Sequence, residues 1–318
     1  MASSTFTVTR LDSNQVTLQL NDLSEYPSDV LEPSVVTMTT RYAEYAQRIR
    51  DFQVYEDDVW IVTFPKSGTT WTEEMVWLIN HDLDYQRARG VKLNVRSTFL
   101  EIHAIADRFA IDTIAIAENA PRPRQIKSHL PVSLLPRQLW TVKPKIVYVA
   151  RNPKDVAISL YYHSRVFMGY DGTKESFLDS LCTDLFAYCP LVRHVLNFWA
   201  LRHEPNVLFL TYERMKRNLK AVLPEVCGYF NKTFTKAELD NLAEHLSFSE
   251  MKKNPATNKH DVVRDALKAD HREGEQFEFL RKGIVGDFKT ELPEGYDAKL
   301  NQFITEQLEG SDFQYEYE

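Results

Sequence analysis

Cysteine, glycine and long apolar runs are all scarce in this chain, and each shortage removes a class of protein. Three cysteines, Cys182, Cys189 and Cys227, occur in 318 residues. An odd number without a Cys-x-x-Cys pair argues against a disulfide framework and a cysteine zinc site, and fits a reducing compartment. Ten glycines and 14 prolines are too few for a collagen-like or low-complexity chain. No stretch approaches the roughly 18 apolar residues of a membrane-spanning helix. Basic charge is short as well: 38 lysines and arginines face 45 aspartates and glutamates, a formal net charge of −7. A general nucleic-acid binder needs a basic surplus, so nucleic acid is not expected as a partner. A small polyanion can still be held by cations gathered in one place. Met1–Thr5 has no basic run followed by an apolar core, Ala2 stands where N-myristoylation needs glycine, and Phe313–Glu318 is no prenylation sequence. The expectation is a soluble cytoplasmic chain with no membrane partner.

What is present is a globular composition, 43% hydrophobic and 26% charged, on a chain long enough for a sizeable core. No internal repeat or linker divides it, so residues 1–318 are expected to form a single domain. Residues 1–55 are polar and mixed, with a helical segment at Thr39–Arg50, and read as an N-terminal extension packing on the core. Val59–Phe64 is a short apolar run of the kind that makes a buried strand. After it, Trp71, Met75, Leu78 and Ile79 recur on one face of a helix. Arg124–His129 and Lys145–Ala150 read as further strands. Asn152-Pro153-Lys154-Asp155 opens a helix, with Pro153 suited to its first turn, and Val156, Ala157, Leu160 and Tyr161 supply an apolar stripe. Leu191, Val195, Phe198 and Trp199 mark another helix, and Asn206–Thr211 another strand. Strands alternating with helices predict an α/β fold with a central parallel sheet flanked by helices on both faces. Such sheets bind ligands beyond the carboxyl ends of their strands. Residues 240–290 are charged and poor in strand signals, and are expected to form helices and loops over that edge.

Between the first strand and its helix lies Pro65-Lys66-Ser67-Gly68-Thr69-Thr70. A helix start offers unpaired N–H groups and the positive end of its dipole, which together cradle an anion. Gly68 admits close approach of a ligand to the backbone, the three hydroxyls add donors, and Lys66 adds a full charge. The nucleoside-triphosphate signature ends in Gly-Lys-Ser/Thr. Here Gly68 is followed by Thr69, and the lysine stands at the front of the loop.

Phe64–Trp71 resembles the 5′-phosphosulfate loop of the cytosolic sulfotransferases. Four more segments match in the family's order: Lys127-Ser128-His129-Leu130-Pro131, like the catalytic Lys-x-His segment; Tyr148–Ser159, like the 3′-phosphate segment; Met251–Pro255, near the adenine site; and Arg281–Lys289, like the closing Arg-Lys-Gly-x-x-Gly-Asp sequence. The five span most of the chain. The resemblance implies a P-loop-like α/β fold. It implies transfer of the sulfonate of 3′-phosphoadenosine 5′-phosphosulfate (PAPS) to a hydroxyl or amine of a small lipophilic acceptor such as a phenol or sterol. The bisphosphate PAP is the product, and no metal is used. It assigns His129 as the base, Lys127 to the transferring sulfonate, Lys66 to the leaving phosphate, and Ser159 to the 3′-phosphate and to gating Lys66. Ser67, Gly68, Thr69 and Thr70 would hold the 5′-phosphosulfate. Arg151, Arg281, Lys282 and Gly283 would hold the 3′-phosphate. Trp71, Phe248 and Tyr212 would hold the adenine, with Ser247, Met251, Phe279 and Leu280 beside the donor.

The sequence also departs from that pattern. Leu246 replaces a threonine or serine, and its side chain cannot hydrogen-bond the base. Pro293-Glu294 replaces a Thr-Val pair in the family's dimer segment, so a monomer or a dimer built elsewhere is expected. Leu160-Tyr161-Tyr162-His163 is one residue out of step with the family, so the acceptor pocket is not carried over. Phe99, Phe167 and Met168 are candidates for lining it. Alternative readings are an alcohol (retinol-like) dehydratase acting through a transient sulfonate ester, a P-loop kinase or nucleotide hydrolase, and a non-catalytic nucleotide binder.

Overall fold

A computed structural model describes residues 5–22, 24, 26, 34–106 and 111–318; most of Met1–Thr5 lies outside them. Three strands precede the first helix: β1 (Phe6–Arg10), β2 (Gln15–Leu20) and β3 (Val35–Thr39) form an antiparallel sheet in the order β1-β2-β3. The composition of residues 1–55 predicts the helix at Thr39–Arg50 but not these three strands. Their signal is alternation within a threonine-rich context: Val16, Leu18 and Leu20 turn inward from β2 and Val36 and Met38 from β3, all joining the main apolar cluster. The helix α1 (Thr40–Arg50) follows, with Thr39 as its N-cap, accepting a hydrogen bond from Tyr42 N.

β4 (Val59–Val62) leads into α2 (Thr69–Asn80). Then come β5 (Thr98–Phe99), β6 (Gln125–Ser128) and β7 (Lys145–Ala150), followed by α3 (Pro153–Phe167), α4 (Leu191–Ala200) and β8 (Val207–Thr211). The five strands form one parallel sheet in the order β5-β6-β4-β7-β8. Its central strands are buried on both faces, and alternate residues feed two separate clusters. Trp60, Val62, Ile146 and Tyr148 pack with Val156 and Leu160 of α3 and Phe198 of α4. Val59, Ile61, Val147 and Val149 pack with Met75 and Leu78 of α2. Period-two alternation with apolar residues on both sides is what a sheet covered on two faces requires.

Asn152 caps α3 by accepting from Asp155 N at 2.8 Å, with Pro153 in the first turn. After β8, the chain forms α5 (Tyr212–Arg217), and within the charged C-terminal third α6 (Phe248–Lys253) and α7 (His260–Ala269). Asp155 fastens the loop beyond α7 to α3: its carboxylate accepts from Gly286 N at 2.9 Å and Phe288 N at 3.0 Å. That loop thereby reaches the carboxyl ends of β4 and β7.

Candidate active site

The β4–α2 loop turns on two left-handed residues, Lys66 at φ 70° and Gly68 at φ 100°. No side chain caps α2 at Gly68, so the first-turn amides keep their capacity for an anion. A Cβ on Gly68 would sit 2.7 Å from Tyr212 Cδ2, so glycine is required by both conformation and space. Thr69 Oγ1 lies 2.7 Å from Thr63 Oγ1, which ties the helix start to the end of β4.

His129 follows β6 directly, two residues after Lys127. Its Nδ1 lies 2.8 Å from the carbonyl oxygen of Thr63. A carbonyl only accepts, so Nδ1 carries the hydrogen and Nε2 is left with a lone pair. The backbone of His129 is held on both sides: its N–H donates to Glu101 Oε1 at 2.6 Å, and its carbonyl accepts from His194 Nε2 at 3.0 Å. His194 Nδ1 in turn meets the Tyr148 hydroxyl at 2.8 Å. Burial, then the charge of Lys127, holds the His129 imidazolium well below its usual range, so the ring is neutral at physiological pH. Burial likewise lowers His194 to about 4 and raises the Glu101 carboxyl to about 7.

Four further cations, Lys66, Arg151, Arg281 and Lys282, join Lys127 from other segments. The Lys66 ammonium lies 4.3 Å from the Phe279 ring centroid, and that of Lys127 4.2 Å from Phe99. Burial and then Lys259, Lys127, Arg151 and Arg281 depress Lys66 to about 7. Arg151 stacks on Tyr212 at 4.3 Å and donates to the carbonyls of Lys66 (3.1 Å) and Ile284 (3.0 Å), while its Nε is buried without a partner. Arg281 and Lys282 both pair with Asp287.

These residues open onto one cavity of about 1390 Å³. Of the residues singled out from the sequence, Lys66, Gly68, Thr69, Thr70, Trp71, Lys127, His129, Arg151, Ser159, Tyr212, Phe248, Met251, Phe279, Leu280, Arg281, Lys282 and Gly283 all line it. Ser67 and Ser247 do not. Ser67 is buried beneath the loop, and Ser247 is spent as the N-cap of α6, accepting from Glu250 N at 3.3 Å. At one end of the cavity Trp71 meets Tyr212 edge-on at 5.6 Å, with its Nε1 buried and unpartnered. Gly283, at φ 62°, lies so close to Phe248 that a Cβ would approach its ring to 2.2 Å. Leu246 is fully buried in this wall. An aromatic slot, an uncapped helix start and arginines beside it fit an adenosine bisphosphate with a second anionic group at its 5′ end. At the other end, Phe99, Phe167 and Met168 line the cavity as expected, together with Ile102, Ile105 and Tyr188.

Residues 56–312 match the family model described as the sulfotransferase domain. The chain belongs to the sulfotransferase family. It is similar to luciferin sulfotransferase of Photinus pyralis, 34% identical over 289 residues that cover 86% of this chain and 77% of that protein. It is also similar to sulfotransferase 1A1 of Canis lupus familiaris, 35% identical over 271 residues that cover 85% of this chain and 89% of that one. Among solved structures, retinol dehydratase in complex with retinol and PAP is 25% identical, with a TM-score of 0.82 over 98% of this chain and 99% of that chain. Mouse sulfotransferase SULT7A1 complexed with PAP is 26% identical, with a TM-score of 0.67 over 87% and 93%. The sheet is thus the P-loop-like sheet of the sulfotransferases, and the enzyme moves the sulfonate of PAPS to a small acceptor, leaving PAP.

Sequence reasoning missed Thr63, Glu101 and His194, which position His129, and Lys259, which lines the same cavity. Glu101 carried a signal, an acid two residues beyond Phe99 in an apolar stretch. The other three lie outside the matching motifs or, like Thr63, look like ordinary strand residues.

Proposed function

We propose that His129 Nε2 accepts the proton of the acceptor hydroxyl while Lys127 faces the sulfonate oxygens and Lys66 the bridging oxygen of the leaving phosphate. The observation that carries this is the hydrogen bond from Nδ1 to the Thr63 carbonyl, which leaves Nε2 as a bare base on a buried side chain. PAPS supplies the sulfonate. The chain's own residues hold it: the amides and hydroxyls of Gly68–Thr70 at the 5′ end, Arg151, Ser159, Arg281, Lys282 and Gly283 at the 3′-phosphate, and Trp71, Tyr212 and Phe248 at the adenine, with Met251, Phe279 and Leu280 beside them. Ser67 and Ser247 act from behind, through the loop and the α6 cap. Residues 1–318 act as one domain, with 240–290 covering the donor.

The apolar end of the cavity supports a lipophilic acceptor, such as a phenol, a sterol or another alcohol. The likeness to retinol dehydratase along 98% of this chain supports a second reading, in which the sulfonate ester is eliminated to an alkene. Mass spectrometry of products from PAPS and a mixed panel of phenols, sterols, retinoids and amines tests both. Sulfonated acceptor with PAP is expected. A dehydrated product would select the second reading, and neither product nor PAP binding would overturn both. We further propose a cytoplasmic enzyme that is a monomer or dimerises outside Lys289–Glu294. Among the described residues no helix is long and apolar enough to cross a membrane.

A further inference from the structure

One cation in the cavity has no part in the mechanism above. Among the described residues, nine lysines and arginines line the cavity against three carboxylates, Glu73, Asp261 and Asp287, although the chain as a whole is acidic. Most of these charges are engaged. Asp287 is paired with Arg281 and Lys282, and Asp261 with Lys92. Arg41 donates to the His103 carbonyl and the Tyr45 hydroxyl. Lys216 lies toward the adenine end, 5.9 Å from the Phe248 ring centroid. Lys259 is different. It stands just before α7 at φ 57°, and its ammonium lies 4.6 Å from the centroid of Phe279, the ring that Lys66 also approaches. None of the described carboxylates forms an ion pair with it.

Its charge bears on the reacting groups. Lys259 is the largest charge contribution to the lowered pKa of Lys66, and it also presses on His129 and His163. Burial and Lys127 lower Lys259 itself to about 8, while Glu73 and Asp261 draw it upward, so it is charged at neutral pH. One buried and two half-buried lysines, Lys127, Lys66 and Lys259, none of them in an ion pair with a described carboxylate, form a pocket of positive potential. Lys66 and Lys127 already match the phosphosulfate, and Arg151 and Arg281 match the 3′-phosphate. The donor therefore leaves Lys259 with only the longer-range pull of Glu73 and Asp261, and a half-buried charge without a close partner is costly.

We propose that Lys259 is a specificity-determining residue that receives an anionic group of the acceptor, so that the enzyme prefers hydroxylated carboxylic acids to their neutral analogues. This rests on the sulfotransferase reading of the site. The hydroxyl faces His129, the ring lies among Phe99, Phe167 and Phe279, and the carboxylate reaches the Lys259 ammonium. Such a charge-assisted contact also removes part of the repulsion between Lys259 and Lys66.

The test compares positional isomers of hydroxynaphthoic acid with their methyl esters. Initial rates at saturating PAPS give the acid-to-ester ratio of kcat/KM, and calorimetric titration into the enzyme–PAP complex gives the ratio of affinities. We expect at least one isomer to favour the acid by about tenfold or more in the native enzyme. That ratio should fall to about one in Lys259→Met and largely recover in Lys259→Arg. Preference for the ester with every isomer, or a ratio that Lys259→Met does not move, overturns the proposal. Equal losses for acid and ester, matched by a loss of PAP affinity, would assign the lysine to the donor and also overturn it. Failure of the underlying reading looks different: no PAP binding and no sulfonated product from acid or ester would overturn both.

Discussion

The base role proposed for His129 rests on two hydrogen bonds that its own sequence neighbourhood does not contain. Thr63 fixes the proton on Nδ1, and Glu101 holds the backbone. His129→Ala should therefore keep PAP affinity, measured by calorimetry, while transfer falls by about a hundredfold or more; near-normal turnover would remove the assignment. The pH profile follows from the same environment. His129 is held well below its usual range, so it stays in the basic form down to pH 6 and costs no activity there. Lys66 is lowered to about 7, and its charge, which we propose faces the leaving phosphate, is lost as pH rises through that value. In kcat/KM, which reports the free enzyme, we expect a decline above pH 7 and no rise between 6 and 7. In kcat the decline should move to higher pH, because the bound polyanion favours the charged lysine. A profile that rises through pH 7 would contradict both assignments.

At the scale of elements, the site depends on a helix start that nothing caps and on a loop pinned to α3. Gly68 serves the first. Its φ of 100° and the 2.7 Å approach of a Cβ to Tyr212 mean that Gly68→Ala must shift either the loop or a ring that is itself held by Trp71 and Arg151. We expect PAP affinity to fall by about tenfold or more with unchanged far-UV circular dichroism, since strain of this kind costs about 1–3 kcal/mol. Retained affinity would show that the amides of this turn do not hold the donor. The elements differ in how legible they were. β7, the Asn152 cap and Pro153 are local signals, the apolar run Ile146–Ala150 followed by a capping residue and a helix-starting proline, and the structure carries them as read. β5 is two residues long, too short for any period to register. β2 alternates cleanly, but Val8 of β1 and Val35 of β3 are exposed and Thr37 of β3 is buried, so the three runs together look like loop until the partners are in place.

For the molecule as a whole, the unliganded site is a cluster of like charges held together by the rest of the core. A lysine whose pKa falls on folding destabilises the folded state while it is charged. For Lys66, that penalty is full below about pH 7 and is relieved as pH rises toward its unfolded value. Lys66→Met should accordingly raise the Tm of the unliganded protein at pH 6 while reducing transfer, and the gain should shrink toward pH 9. PAP should raise the Tm of the native protein by mass action, about 2.7 kcal/mol at a hundredfold excess over Kd. Differential scanning calorimetry at the two pH values checks both. A lower Tm for Lys66→Met at pH 6 would mean that the charge is already compensated.

The sequence by itself determined the groups available and their local settings. Strand, glycine turn and helix start are contiguous in Phe64–Trp71, and Lys127 and His129 share a face because they are two apart on an extended segment, so short-range sterics and periodicity suffice. Those same features carried the family resemblance that the relatives then bore out. Only the tertiary structure decided what each group would do. Thr63 and His129 lie 66 residues apart, Arg151 and Ile284 133 apart, and the crossovers of a parallel sheet bring them together. Which nitrogen of His129 is bare, which arginine nitrogen is left unpartnered, and the presence of Lys259 beside Lys66 all depend on what packs around them. Hydrogen bonding and desolvation are properties of neighbours in space, and a sequence lists only neighbours along the chain.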